Sequence, residues 1–218
     1  MNDAATPGRR APLSSAERAA VALLASGVVT FSTYGALTGA PSLAGYLAIV
    51  VGGLALLVWL RRSPLPDALA IGLSLVALGH LAGGLIRVGD DVLYNASPGI
   101  ALLQWDHVVH SCGVFVGTIV VWLLLLQPVT RSLRTRDIVL VCVLAGLGLG
   151  AVNETVEFVA TLAHQGSHVG GYTNTGWDLV ANAIGATAGG AWLAVRGRRT
   201  GSIDAIGDDG QSRLVEAV

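Results

Sequence analysis

The chain has 218 residues, a formal net charge of -1, 12% charged residues and a mean hydropathy of +0.66. A water-facing domain carries about twice that share of charge, so an ordinary soluble protein is excluded and the bilayer is the better solvent. A nucleic-acid binder is excluded too, because meeting phosphates calls for a basic excess that this chain lacks.

Residues 1–15 are polar and read as a cytoplasmic N-terminal segment. Near its end Ser14 is followed three residues later by Glu17, the pattern of a helix-capping box. A first apolar helix is expected over 16–37; it is longer than the apolar core of a signal peptide and has no clear small-residue cleavage pattern, so it reads as retained. A very short turn at Pro41 and Ser42 leads to a second helix over 43–60, which Arg61, Arg62, Ser63 and Pro64 end. The third helix is expected over 67–86, and a polar connection over 87–105 follows. The fourth covers 106–127 before Pro128, the fifth 138–162, and a Gly/His/Thr-rich loop over 163–176 leads to the sixth over 177–195. Each run approaches the roughly 20 residues that cross about 30 Å of hydrocarbon. The expected fold is therefore all-α, an integral membrane bundle of six transmembrane helices over 16–195, with the bilayer as its partner. The polar, acidic tail over 196–218 is expected to be disordered on the cytoplasmic side.

All 13 basic residues are arginine. With six spans, Arg9, Arg10 and Arg18, then Arg61 and Arg62, then Arg131, Arg134 and Arg136, then Arg196, Arg198 and Arg199 all fall on one side. The other side has only Arg87, in a loop that also holds Asp90 and Asp91. Positive charge is retained in the cytoplasm, so both termini are expected there.

Ionisable residues inside membrane helices are costly and need a partner or a function. Here they cluster: His80 in helix three, Asp106 and His110 at the start of helix four, Asn153, Glu154 and Glu157 in helix five, Asp178 and Asn182 at the start of helix six. Asp106 with His110, and Asp178 with Asn182, share a helix face, and Glu154 and Glu157 are one turn apart. Under the alternating topology all of them lie in the half of the bilayer away from the cytoplasm. Four carboxylates in one partly dry space repel each other, and something must offset that charge.

Three readings do so. A divalent metal ion, with His80, Asp106, His110, Glu154, Glu157 and Asp178 as candidate ligands, would activate water for hydrolysis of a lipid or envelope substrate. In that reading Glu154, Glu157, Asp178 and Asn182 are the catalytic candidates. Alternatively the acids are protonated and hydrogen-bonded to His80, His110, Asn153 and Asn182, holding the bundle together, or the residues line a path for protons or a small solute. No HExxH or other specific metal motif is present.

Gly185 and Gly189 in helix six, and Gly146, Gly148 and Gly150 in helix five, read as close-packing positions. Cys112 and Cys142 lack CxxC spacing and read as small buried hydrophobes. Trp59, Trp105, Trp122, Trp177 and Trp192 mostly lie near helix ends, as interfacial anchors do. His107 points about 100° away from Asp106 and reads as an interface residue; His164 and His168 read as solvated loop residues.

The order Gly79-His80, Trp105-Asp106-x-x-x-His110, Asn153-Glu154-x-x-Glu157 and Gly171-Tyr172-Thr173-Asn174-Thr175-Gly176-x-Asp178-x-x-x-Asn182-x-x-Gly185 resembles the YjdF-like bacterial inner-membrane family. The segments of helices four and six also resemble the broader VanZ-like group. Glu157 stands where VanZ-like chains carry glutamine, and Asn174 where YjdF-like chains more often show an acidic or glutamine-bearing run. The resemblance implies a multi-pass protein of the bacterial inner membrane whose activity is not established; VanZ-like members are linked to glycopeptide antibiotic resistance.

Overall fold

A computed structural model of the chain describes residues 13–40, 43–60, 65–100, 103–127, 134–163 and 171–200. The expected turn at Pro41 and Ser42, Arg9, Arg10, Arg61, Arg62, Arg131, His164, His168 and the tail from 201 onward lie outside the described residues. Among the described residues six α-helices occur in the expected order: α1 (Ser15–Thr38), α2 (Leu43–Leu60), α3 (Asp67–Leu85), α4 (Trp105–Val121), α5 (Thr135–Ala163) and α6 (Tyr172–Thr200). A π-helical segment, Trp122–Leu126, continues α4. The only strands among the described residues are β1 (Arg87–Val88) and β2 (Asp91–Val92), a small antiparallel hairpin that turns at Gly89 with φ of 63°.

The capping box at the start of α1 is formed. Ser14 Oγ accepts from the Glu17 backbone N–H at 3.0 Å, and Glu17 Oε2 accepts from the Ser14 N–H at 2.8 Å. Glu17 is buried because its other oxygen accepts the Leu65 N–H at 2.8 Å, and Ser14 Oγ donates to Asp67 Oδ1 at 3.3 Å. The starts of α1 and α3 are therefore tied at one end, with α2 returning between them.

Helices α4, α5 and α6 pack together as one group, α1, α2 and α3 as another, and α3 joins the two through α4. The α4–α6 contact is close because α6 carries glycine where they cross. A Cβ on Gly185 would overlap the Ser111 carbonyl oxygen, and one on Gly189 would lie 2.9 Å from Thr118 Cβ. Ser111 Oγ adds a hydrogen bond to the Ala181 carbonyl at 3.0 Å. The expected packing role of this glycine pair is thus met, as it is for Gly146 and Gly150; Gly148 faces open space.

Among the described residues four helical stretches are long and apolar enough to cross a membrane: Ser15–Thr38, Asp67–Leu85, Trp105–Leu126 and Thr135–Val159. In α2 the apolar stretch Leu43–Val58 is shorter, and α6, although long, is too polar to qualify on composition. The reason lies in its buried stripe, where Asp178, Asn182, Gly185, Gly189 and Gly190 replace aliphatic side chains. Its outer face still shows Trp177, Leu179, Val180, Ile184, Trp192 and Val195.

Two expectations are corrected. Trp122 is no interfacial anchor: it is fully buried with Ile119, Ile138, Cys142 and Leu193 where α4, α5 and α6 meet. Cys112 is exposed, being on the face of α4 turned away from its neighbours, and only Cys142 is the buried hydrophobe expected.

Candidate functional site

The end of α3, the start of α4, the second half of α5 and the start of α6 meet at one end of the bundle. Each helix brings its polar residues there by ordinary helical spacing: Asp106, His107 and His110 from α4, Asn153, Glu154 and Glu157 from α5, Asn174, Asp178 and Asn182 from α6. Gly150 clears the space, since a Cβ there would lie 2.7 Å from Asn182 Cγ.

His110 is the hub. Its Nε2 faces Asp106 Oδ1 at 3.4 Å, Glu157 Oε1 at 3.5 Å and Asp178 Oδ1 at 3.9 Å, while its Nδ1 faces Glu154 Oε1 at 3.2 Å and Asn182 Oδ1 at 3.3 Å. Three asparagines donate to the carboxylates around it. Asn182 Nδ2 donates to Glu154 Oε1 at 3.1 Å, Asn153 Nδ2 to Glu157 Oε1 at 2.6 Å, and Asn174 Nδ2 to both Asp106 Oδ2 at 3.2 Å and Asp178 Oδ2 at 2.7 Å. Asp106, His110, Glu154, Asp178 and Asn182 are all buried.

The expected convergence of Asp106, His110, Glu154, Glu157, Asp178 and Asn182 is therefore found. Two groups of three have ligand atoms within 4.8 Å of one another: Asp106, His110 and Asp178, and Glu154, Glu157 and Asp178. Asp178 Oδ1 has no hydrogen-bond partner among the described residues although the residue is wholly buried. No arginine among the described residues pairs with these carboxylates; Arg87 is exposed and donates to the Asp90 carbonyl at 2.8 Å, bracing the hairpin.

His80 belongs to neither group. The hairpin and the 3-10 turn Leu93–Asn95 fold back over α3, so that Tyr94 packs on Gly83 and its hydroxyl reaches His80 Nδ1. Burial holds the Tyr94 phenol well above its ordinary pKa, so it keeps its proton in a hydrogen bond with Nδ1 whose direction follows the histidine tautomer. Tyr46 meets the same imidazole edge-on, with ring centroids 5.2 Å apart. His80 stands beside the cluster, close enough to interact electrostatically with His110 and Asp106. Its Nε2 has no hydrogen-bond partner among the described residues.

Two members were not expected. His107 is not an interface residue: it is 1% exposed, with Nε2 3.5 Å from Asp178 Oδ1 and its ring beside Trp177. The close α4–α6 approach brings α6 against both flanks of α4, so a 100° offset still faces the cluster. Asn174 was expected in a loop, but α6 begins at Tyr172 and puts Asn174 one turn before Asp178. The spacing Asn174, Asp178, Asn182 is the signal that extends the helix backward.

No curated protein and no solved structure matches the chain. One family model does, over residues 17–199, which include every residue of the cluster. The apolar helices and the buried His/carboxylate cluster are thus features of a chain that belongs to the DUF2238 family, described as predicted membrane proteins.

Proposed function

We propose that the protein is a multi-pass bacterial inner-membrane hydrolase that uses a divalent metal ion to cleave a lipid or cell-envelope component. In this reading all six helices span the membrane, both termini are cytoplasmic, and the cluster lies near the extracytoplasmic face. The alternating run of the helices and the arginine bias support that topology. The resemblance to YjdF-like and VanZ-like chains supports the bacterial inner membrane.

The observation that carries the metal reading is the wholly buried Asp178, whose Oδ1 makes no hydrogen bond among the described residues, although His107 Nε2 faces it at 3.5 Å, while three further carboxylates and His110 surround it. A desolvated charge in that state is unfavourable, and a cation answers both the missing contact and the repulsion. Asp106, His110, Glu154, Glu157 and Asp178 supply nitrogen and oxygen donors of the kind that suit zinc, manganese or iron. His80, whose Nδ1 is engaged by Tyr94 and whose Nε2 makes no hydrogen bond among the described residues, stands beside these donors as a further ligand or as a hydrogen-bond donor, according to its tautomer. A divalent ion held by these residues would supply a water of lowered pKa as nucleophile. Glu154 or Glu157 serves as general base where it is not a ligand, and Asn182 orients Glu154.

A second reading, conduction of protons or a small solute, is favoured by the continuous chain from Asn174 through Asp106, His110 and Glu154 to Asn182. Hydrolysis of lipid labelled on the extracytoplasmic leaflet separates the two. Turnover that is lost in Glu154→Ala supports the hydrolase; no turnover together with proton or solute flux supports conduction. If folded Glu154→Ala and Asp178→Ala retain wild-type behaviour in both assays, the cluster serves packing alone.

A further inference from the structure

We propose that the cluster is a two-ion centre in which Asp178 is the carboxylate shared by two divalent cations. This rests on the metal reading above and adds the number and arrangement of the ions. Among the described residues the donors form two groups, Asp106/His110/Asp178 and Glu154/Glu157/Asp178, and Asp178 is the residue common to both.

The state of Asp178 is an independent sign. Its Oδ2 is held by Asn174 at 2.7 Å, but Oδ1 is buried with no hydrogen-bond partner among the described residues; His107 Nε2 at 3.5 Å and His110 Nε2 at 3.9 Å face it without forming a hydrogen bond. A carboxylate held by a donor on one oxygen and without a hydrogen bond on the other is free to ligate.

Charge favours two ions over one. Asp106, Glu154, Glu157 and Asp178 bring four negative charges when ionised. One divalent ion leaves half of that charge uncompensated in a low-dielectric space, whereas two ions balance it. The imidazole fits the first ion: Nε2 faces Asp106 Oδ1 at 3.4 Å, Glu157 Oε1 at 3.5 Å and Asp178 Oδ1 at 3.9 Å, so Glu157 lies at the boundary of the two groups, while Nδ1 faces Glu154 Oε1 at 3.2 Å and Asn182 Oδ1 at 3.3 Å. An acceptor on the second nitrogen is how ligating histidines are oriented. Glu157 and Asp178 would hold the second ion, with Glu154 as its third ligand or as the general base, and Asn153 and Asn182 hold the glutamates in place.

The test uses the full chain, purified in detergent, stripped with chelator and loaded with Mn2+. Bound metal is counted after gel filtration and the spins are read by electron paramagnetic resonance. The expected result is two Mn2+ per chain with a spin-coupled signal, and one Mn2+ with the uncoupled signal of an isolated ion in monodisperse Asp106→Ala. A single Mn2+ per wild-type chain, or two without coupling, overturns the two-ion centre and leaves the metal reading intact. No bound Mn2+ overturns both. The wild-type result decides by itself, so the inference stays testable if Asp106→Ala does not fold.

Discussion

At the scale of single residues, the asparagines are what the proposed metal site has beyond an accumulation of acids. Asn182 and Asn174 each hold carboxylates in position, Asn182 on Glu154 and Asn174 on Asp106 and Asp178. Removing a hydrogen-bonding partner of this kind costs about 10–100-fold in metal affinity. Asn182→Ala and Asn174→Ala should therefore weaken Mn2+ binding by about that factor in an equilibrium titration; unchanged affinity in both would mean that the carboxylates need no orienting. Much of this constellation was legible in the sequence, because Asp106/His110, Glu154/Glu157 and Asp178/Asn182 each repeat at helical spacing and charges are rare in an apolar chain. His107 and Asn174 were not. The first was discounted on the assumption that only one narrow face of α4 is covered, and the second lay in a Gly/Thr-rich stretch whose weak helix propensity reads as a loop. Nor does sequence spacing reveal that Tyr94 folds back to take His80 Nδ1, since that depends on how the hairpin lands on α3.

Among the helices, α6 decides the architecture. Its glycines let α4 approach, and the approach is what brings His107 and His110 to Asp178. Gly185→Leu forces a side chain into the Ser111 carbonyl, and overpacking of this sort costs about 1–3 kcal/mol. Thermal unfolding in detergent should show a clear loss of stability for Gly185→Leu and little change for Gly148→Ala, where nothing lies within 4 Å of the added Cβ. Equal losses in the two variants would show that α4 and α6 do not pack through this crossing. The order of the six helices was readable from hydropathy and turn residues, and most bounds moved by a few residues or fewer. Both ends of α6 moved, from 177 back to 172 and from 195 on to 200, so residues 196–200 of the expected disordered tail are helical; the polar first turns are stabilised by contacts with α4 that the local sequence does not display. The same polarity leaves α6 outside the set of helices that qualify as spans on composition alone.

For the whole molecule, function depends on which side of the membrane the cluster faces. In a cysteine-free background, Ser97→Cys, in the connection between α3 and α4, should react with an impermeant maleimide added to intact cells, whereas Ser202→Cys should react only after the membrane is opened. The reverse pattern would place the cluster near the cytoplasmic face and remove an extracytoplasmic substrate from consideration. The central claim is that four carboxylates and His110 are gathered in the membrane to hold metal. Elemental analysis of the detergent-purified protein tests it most directly, beside an Asp106→Ala, Glu154→Ala double variant shown to be equally monodisperse. Stoichiometric metal in the wild type that is lost from the variant is the predicted result and names the ion. A wild type that holds no metal even after incubation with divalent cations would contradict it, and would turn the same carboxylates into a protonated network for conduction or for packing.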